Sequence, residues 1–217
     1  MINFIAMLAL IIVSFSCSVP RIRSNFDEFS NKFKEINLPY QINDSLAFEN
    51  WNSPDLIDTN YVKEYKLLTK HANKDYPLKL QDYKCSYIGR YQANDHVVLL
   101  YKTFTTEAGR GNPEIILVTY TATGDKKDEI AALWNDAEDP LYSQRVTLNI
   151  SNANKFTIKS IIKYNGYING NIVPKKVTER TIGYEINTEG LIERKVSAEN
   201  DLFIDDNPDI LDDFPGE

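Results

Sequence analysis

The chain has 217 residues, 42% hydrophobic and 25% charged, which is typical of one folded domain with short additions at its ends. The formal net charge of −7 arises at the C-terminus, because eight acids and no Lys or Arg lie in residues 199–217, whereas 23 acids face 24 bases elsewhere. No basic stripe remains for nucleic acid, and two cysteines, Cys17 and Cys85, exclude a disulfide framework.

The N-terminus predicts export and lipid attachment. Residues 4–13 form an unbroken apolar run that is typical of a signal peptide and too short to cross a bilayer, which takes about 20 apolar residues. The following Ser14-Phe15-Ser16-Cys17 resembles the lipobox of bacterial lipoproteins. This resemblance implies a signal peptide over residues 1–16, acyl chains such as palmitate on Cys17, and a tether over residues 17–23. Because no Lys or Arg precedes the run, an uncleaved anchor or a soluble protein with an apolar leader remains an alternative.

A helix is predicted directly after the tether. Ser24 and Asp27 fit a capping box, and Leu38-Pro39 is predicted to end the helix. The apolar side chains that recur at helical spacing are Phe26, Phe29, Phe33 and Ile36. With the lipobox, this Phe-rich helix and its Leu-Pro end resemble the start of uncharacterised Bacteroidota-type lipoproteins over residues 14–42. The resemblance implies a place in the cell envelope, periplasmic or outer-membrane, and no particular activity.

The middle of the chain changes from helical to strand patterning. Residues 43–57 are predicted to be irregular, and Asp58 or Thr59 is predicted to cap a short helix with Tyr61, Tyr65 and Leu68 on one face. From Tyr83 onward apolar residues alternate with polar ones, which predicts strands. The predicted strands cover residues 83–87, 96–104, 114–122, 129–134, 144–150, 155–164, 176–186 and 191–196.

These strands predict an α+β fold that is mainly β. Residues 114–122 are apolar on both faces, which is typical of a central strand. Asn165-Gly166 and Asn169-Gly170 are predicted turns, and residues 187–190 a hairpin loop with Gly190 in the left-handed conformation. We expect an antiparallel meander sheet or a partly open barrel with one or two N-terminal helices. One domain would cover residues 24–198, and residues 199–217 would be a flexible acidic tail.

No pattern predicts a catalytic centre. His71 and His96 have no motif around them, and with Cys85 they do not form a recognised zinc spacing. The Gly-rich residues 109–112 precede a strand and not a helix, so a hairpin loop explains them better than a phosphate-binding loop.

Two further residue groups are weak candidates for binding. Asp205, Asn207 and Asp209 match the first half of a calcium loop, but Ile210 and Gly216 stand where that loop needs Gly and Glu. A solvated terminus is the alternative. Tyrosines on the predicted strands and turns could pack in the core or offer stacking surfaces for sugars or peptides. They are Tyr87, Tyr91, Tyr101, Tyr120, Tyr164, Tyr167 and Tyr184.

The sequence thus predicts a lipid-anchored envelope protein without a cofactor, which works by binding or as an accessory part of an assembly. Its expected partners are the membrane, through the lipid, and an envelope protein. One alternative is an inhibitor or immunity-type lipoprotein that blocks one partner protein, with the acidic tail steering a basic target. Another is an envelope-polymer hydrolase that uses Asp136, Glu138 or Asp139 in an acidic loop.

Overall fold

The structure is a computed structural model that describes residues 25–48, 55–68, 83–105, 113–134, 141–169 and 171–205. Within these ranges the structure has three short helices, α1 (Asn25–Ser30), α2 (Ser45–Phe48) and α3 (Thr59–Glu64). The strands of the described residues are β1 (Tyr40–Asn43), β2 (Tyr83–Ala93), β3 (His96–Thr105), β4 (Glu114–Thr121), β5 (Lys126–Trp134), β6 (Tyr142–Asn152), β7 (Lys155–Ile168), β8 (Asn171–Ile186) and β9 (Ile192–Ile204).

The strands form two antiparallel sheets. One has the order β2-β3-β4-β5 and the other the order β1-β6-β7-β8-β9. Consecutive strands are neighbours almost throughout, so the predicted mainly β, meander-rich α+β fold is confirmed. Each sheet ends in two edge strands and remains open. Only β1 joins its sheet from far away in sequence, since Tyr40 pairs with Ile150.

The four-stranded sheet is the middle of three layers. One of its faces packs on the five-stranded sheet, and the other is covered by α1, α3 and the residues around them. Strand β4 alternates between the two cores, with Ile115 and Leu117 facing the other sheet and Ile116 and Val118 facing the helices. The prediction that this strand is apolar on both faces because it is central is therefore confirmed.

Helix α1 is shorter than the apolar spacing predicts. It ends at Ser30, although all four predicted apolar side chains are buried. The chain then becomes extended beside β2, where the Arg90 N–H donates to the Lys34 carbonyl (2.8 Å) and the Ile36 N–H donates to the Arg90 carbonyl (2.9 Å). These two hydrogen bonds satisfy backbone groups that a longer helix would have bonded internally. The prediction that the helix reaches Leu38-Pro39 was therefore wrong.

Helix α3 begins and ends with local capping interactions. The Asp58 carboxylate accepts a hydrogen bond from the Asn60 N–H (2.7 Å), which confirms the predicted cap. At the other end Lys66 takes a positive φ of 51°, and the Leu67 N–H donates to the Val62 carbonyl (3.1 Å). This is a Schellman ending with Lys in the position that usually holds Gly.

Several boundaries differ from the sequence predictions. No strand was predicted over residues 40–43, which form β1 because they pair with β6. Asn165-Gly166 lies inside β7 at a register shift, and the chain reverses only around Asn169, whose φ is 51°. Strand β9 continues past residue 198 to Ile204, because residues 199–201 pair with Thr178–Arg180 of β8. The start of the proposed tail thus belongs to the sheet.

Candidate functional site

Many of the residues singled out in the sequence lie outside the described part of the chain. They are the signal peptide over residues 1–16, Cys17 and the tether, His71, residues 109–112, the loop acids Asp136, Glu138 and Asp139, and the tail residues Asn207 and Asp209. Asp205 is described, and its N–H donates to the Lys175 carbonyl (2.9 Å). Within the described residues no group of three or more His, Cys, Asp or Glu side chains is placed to hold a metal ion.

Cys85 and His96 are both buried and lie on different faces of their sheet. Burial raises the pKa of the Cys85 thiol to about 12, partly offset by a contact with the Thr103 hydroxyl, so the reactive thiolate is scarce at neutral pH. His96 packs against Gly190, where an added Cβ would lie 2.5 Å from its Cδ2. Both side chains therefore contribute to the packing of the core. They lie on opposite faces of the sheet, so Cys85 and His96 cannot act together as nucleophile and base.

Most of the strand tyrosines belong to the core. Tyr91, Tyr101, Tyr120 and Tyr167 are buried, whereas Tyr87 and Tyr184 are half-buried. Tyr164 is exposed and contacts Tyr142 edge-on, with 5.5 Å between the ring centroids. The sequence left open whether these tyrosines pack in the core or form a stacking surface for a ligand. The four buried tyrosines pack in the core.

Three consecutive carbonyls after α3 accept hydrogen bonds from the four-stranded sheet. The Tyr120 hydroxyl donates to the Tyr65 carbonyl (2.7 Å), and the Tyr101 hydroxyl donates to the Leu67 carbonyl. Between them, Lys126 Nζ donates to the Lys66 carbonyl (2.7 Å). Carbonyls at a helix end lack partners within the helix, so these side chains fix the helix layer on the sheet.

A cleft of about 520 Å³ opens beside this contact, between the end of α3 and the start of β5. It contains a largely buried ion pair between Lys126 and Glu129. A general base needs a carboxylate that can accept a proton from a substrate. Here the Glu129 carboxylate is neutralised by a lysine that also bonds to Lys66, so the pair stabilises the cleft wall. The hydrolase alternative depends on Asp136, Glu138 and Asp139, which lie outside the described residues, so this cleft does not test it.

A second groove, of about 570 Å³, lies beside α1 and contains Tyr61 and Tyr87. Lys32 Nζ lies 5.5 Å from the centroid of the Tyr61 ring, and the Tyr61 hydroxyl donates to Glu28 (3.3 Å). Phe33 contacts Tyr87 edge-on, with 4.8 Å between the centroids. Both rings are thus engaged by side chains of the chain itself and belong to the aromatic layer beneath α1.

The most distinctive surface of the described residues is the edge strand β9. All its side chains from Arg194 to Ile204 are exposed, including four large apolar ones. We call these four, together with the outer edge of β9, the β9 surface. Its apolar residues are Val196, Leu202, Phe203 and Ile204, whose side chains are between 44% and 62% exposed. Single exposed apolar residues are common, but their concentration on one free strand is typical of an interaction site.

The edges formed by β2 and β1 are covered or short. The edge of β2 is bonded to Lys34 and Ile36, and the Ile57 N–H also donates to the Cys85 carbonyl (2.8 Å). At the β5 edge, the Asp128 carboxylate accepts from the Ile192 N–H (3.0 Å). Strand β1 has only four residues, whereas β9 has thirteen and no neighbour beyond it among the described strands. Proteins usually protect such an edge, because its free N–H and C=O groups can pair with another chain.

Polar contacts hold β9 firmly on β8. Arg180 and Glu199 form an ion pair (2.8 Å), and the Asp201 carboxylate accepts from Lys176 (3.0 Å) and from the Thr178 hydroxyl (2.8 Å). The hydrogen bond from Lys176 is the main cause that lowers the pKa of the Asp201 carboxyl. The β9 surface is therefore presented on an ordered strand. The sequence missed it because residues 197–201 are mostly polar and resemble the acidic tail that follows.

None of the helices in the described segments is long and apolar enough to cross a membrane. Comparisons of the chain with protein-family models, with curated proteins and with solved structures found no match. Its role must therefore be inferred from its own residues.

Proposed function

We propose that the chain is a lipid-anchored protein of the cell envelope that works by binding another macromolecule through the β9 surface. The observation that carries the binding role is the collection of exposed apolar side chains on one edge strand that has no neighbouring strand beyond it in the described part of the chain. A strand of this kind can take up an additional strand, so that main-chain hydrogen bonds supply affinity and neighbouring side chains supply specificity. An inhibitor or accessory protein of the envelope would act in this way.

The anchor is supported by the sequence alone. The apolar run over residues 4–13, followed by Ser16 and Cys17, matches a signal peptide and a lipidated cysteine. A diacylglycerol would hold the protein firmly, because each buried methylene contributes about 0.8 kcal/mol. The tether over residues 17–23 reaches roughly 25 Å when extended, at about 3.5 Å per residue. The partner would accordingly lie at or close to the membrane surface.

Intact mass and membrane fractionation of the natively expressed protein test the anchor. The expected result is a membrane-bound chain that starts at Cys17 and carries a diacylglycerol mass. Cys17→Ala, the matched control, should lack this mass and should keep its leader. An unmodified wild-type chain that still begins with Met1 would refute the anchor and leave the binding role to be judged separately.

The binding role is tested by charge placed on the β9 surface. Phe203→Lys should weaken crosslinking of the full chain to its partner in envelope preparations, since burial of a charge in an apolar contact is unfavourable. Thr157→Lys, on the outer face of β7 in the same sheet, is the matched control and should leave crosslinking unchanged. Equal crosslinking of both variants and the wild type would contradict the role of β9.

A further inference from the structure

The distribution of charge along β9 indicates what the strand binds. Its first half carries Arg194 and Lys195 together with Glu193, a net charge of +1, and its second half carries Glu199 and Asp201, a net charge of −2. When two copies of such a strand lie antiparallel, the basic half of each faces the acidic half of the other. Opposite charges across a strand pair are stabilising and like charges are destabilising, so the strand is complementary to itself.

We propose that β9 pairs antiparallel with β9 of a second copy of this chain, so that the two five-stranded sheets become one continuous sheet. The inference deepens the proposed binding function by naming the partner, and it does not depend on the lipid anchor. The contact would be isologous, because the same edge of both copies is used.

Symmetry fixes the possible registers. A two-fold axis that relates two identical antiparallel strands passes midway between the two copies of one residue. That residue therefore faces its own copy across the pair. Ala198 is the midpoint of β9, so centring the axis there overlaps the strands completely. Lys195 then faces Asp201 of the second copy, whereas Ile192, whose N–H is already bonded to Asp128, lies at the end of the paired stretch. No residue of this register faces a residue of like charge, because Glu193 meets Phe203 and Arg194 meets Leu202.

The backbone of β9 is compatible with this centre. Its pairing with β8 shifts register between Gly183 and Tyr184 and again between Val177 and Thr178. Between these two irregularities, residues 196–201 pair regularly and include Ala198. Bulges bend a strand and limit how far it can pair, so the regular stretch is where a second strand fits best.

The other edges explain why such an assembly would stop at two copies. Among the described strands, pairing uses the long edge of β9, while β2 is covered by Lys34 and Ile36, β1 is short, and the β5 edge contacts the start of β9 through Asp128. A dimer of this kind would therefore close and would not grow into a fibre.

Cysteine crosslinking of the full chain in its membrane tests the proposal. Ala198→Cys should form a disulfide across the two-fold axis on mild oxidation, giving a species of twice the mass. Thr181→Cys is the matched control, since Thr181 faces Ala198 on the neighbouring strand β8. In the dimer the two copies of residue 181 would be three strand spacings apart, about 14 Å, which is too far for a disulfide. The wild-type chain provides the baseline for Cys17 and Cys85.

Charge exchange tests the register. In the Ala198→Cys chain, Lys195→Asp should lower the yield of the disulfide dimer by about five-fold, because two attractive pairs become repulsive. Adding Asp201→Lys together with Lys176→Glu should restore the yield, since the pairs across the axis are then reversed and again opposite in sign, and Lys176, the partner of Asp201 on β8, no longer repels the new lysine. A yield of disulfide dimer that stays the same in all these variants would overturn the register centred on Ala198.

The remaining outcomes separate this inference from the proposed function. If Ala198→Cys forms an adduct with a different protein, the second copy is refuted while the binding role of β9 stands. If it forms no more adduct than Thr181→Cys, both the second copy and the binding role of β9 are refuted, and the lipid anchor is still decided by the mass of the mature chain.

Discussion

Thr119 on β4 and Gly190 in the loop before β9 are joined by a buried hydrogen bond, in which Thr119 Oγ1 donates to the Gly190 carbonyl at 2.6 Å. The same hydroxyl oxygen accepts from the Asp128 N–H (3.1 Å). The Asp128 carboxylate also accepts a hydrogen bond from the Ile192 N–H. Thr119 and Asp128 of the four-stranded sheet therefore position both the loop at Gly190 and the start of β9. The strand that forms the proposed interface is thus fixed by the opposite sheet.

Thr119→Val should lower the free energy of unfolding by about 1–3 kcal/mol, since the Gly190 carbonyl would stay buried without its donor. Valine has nearly the shape of threonine, so the loss of stability measures the contribution of the hydroxyl group. Urea unfolding at constant pH measures it. Thr119→Ser keeps the hydroxyl and should cost clearly less; a larger loss for Ser than for Val would contradict this explanation.

Gly190→Ala should destabilise the protein by about 1 kcal/mol or more, because its φ of 84° disfavours any side chain and the new Cβ would collide with His96. Gly183→Ala is the matched control. A Cβ there would lie 3.6 Å from the Val196 Cβ, an ordinary contact, so this variant should be neutral or slightly more stable. Thermal unfolding compares the two, and equal losses would refute the role of the loop conformation.

Tyr120→Phe should lower the free energy of unfolding by about 1–3 kcal/mol, because it leaves the Tyr65 carbonyl without its buried donor. Tyr91→Phe is the contrasting variant. The Tyr91 hydroxyl is buried and has no hydrogen-bond partner among the described residues, so its removal should be neutral or stabilising. Chemical unfolding of both variants tests the difference, which should vanish if the hydrogen bonds to the end of α3 are unimportant.

Alkaline pH should unfold the protein. Burial raises the pKa of Tyr87 to about 12 and raises the pKa values of Tyr101 and Tyr120 further above the ordinary value of 10. Since the folded state keeps these groups protonated, their contribution is complete below the unfolded-state pKa and is lost as pH rises above it. Urea unfolding should therefore show constant stability from this source up to about pH 9 and a steep fall above pH 10. Tyrosinate absorbance that appears fully at pH 10 without unfolding would contradict this prediction.

Local pattern was sufficient for much of the fold. Alternation identified most strands, and the apolar run of Ile115–Val118 identified a strand buried on two faces. Asp58 marked the start of α3, and Gly190 marked the loop before β9. These features depend on neighbours within a few residues, so they can be read without knowing where the chain folds back. The expected lipid at Cys17 is also a local pattern, and it remains a prediction.

The tertiary structure decided which segments of the chain pair with one another. Helix α1 ends early because Lys34 and Ile36 bond to Arg90, far along the chain, and Tyr40–Asn43 is a strand only because β6 lies beside it. The polar residues 197–201 belong to a sheet because they pair with Thr178–Ile182 of β8. Sequence determines which side chains prefer burial and which turns the backbone can make. The free edge of β9 exists only once both sheets are assembled, because an edge is defined by the strands that have already paired.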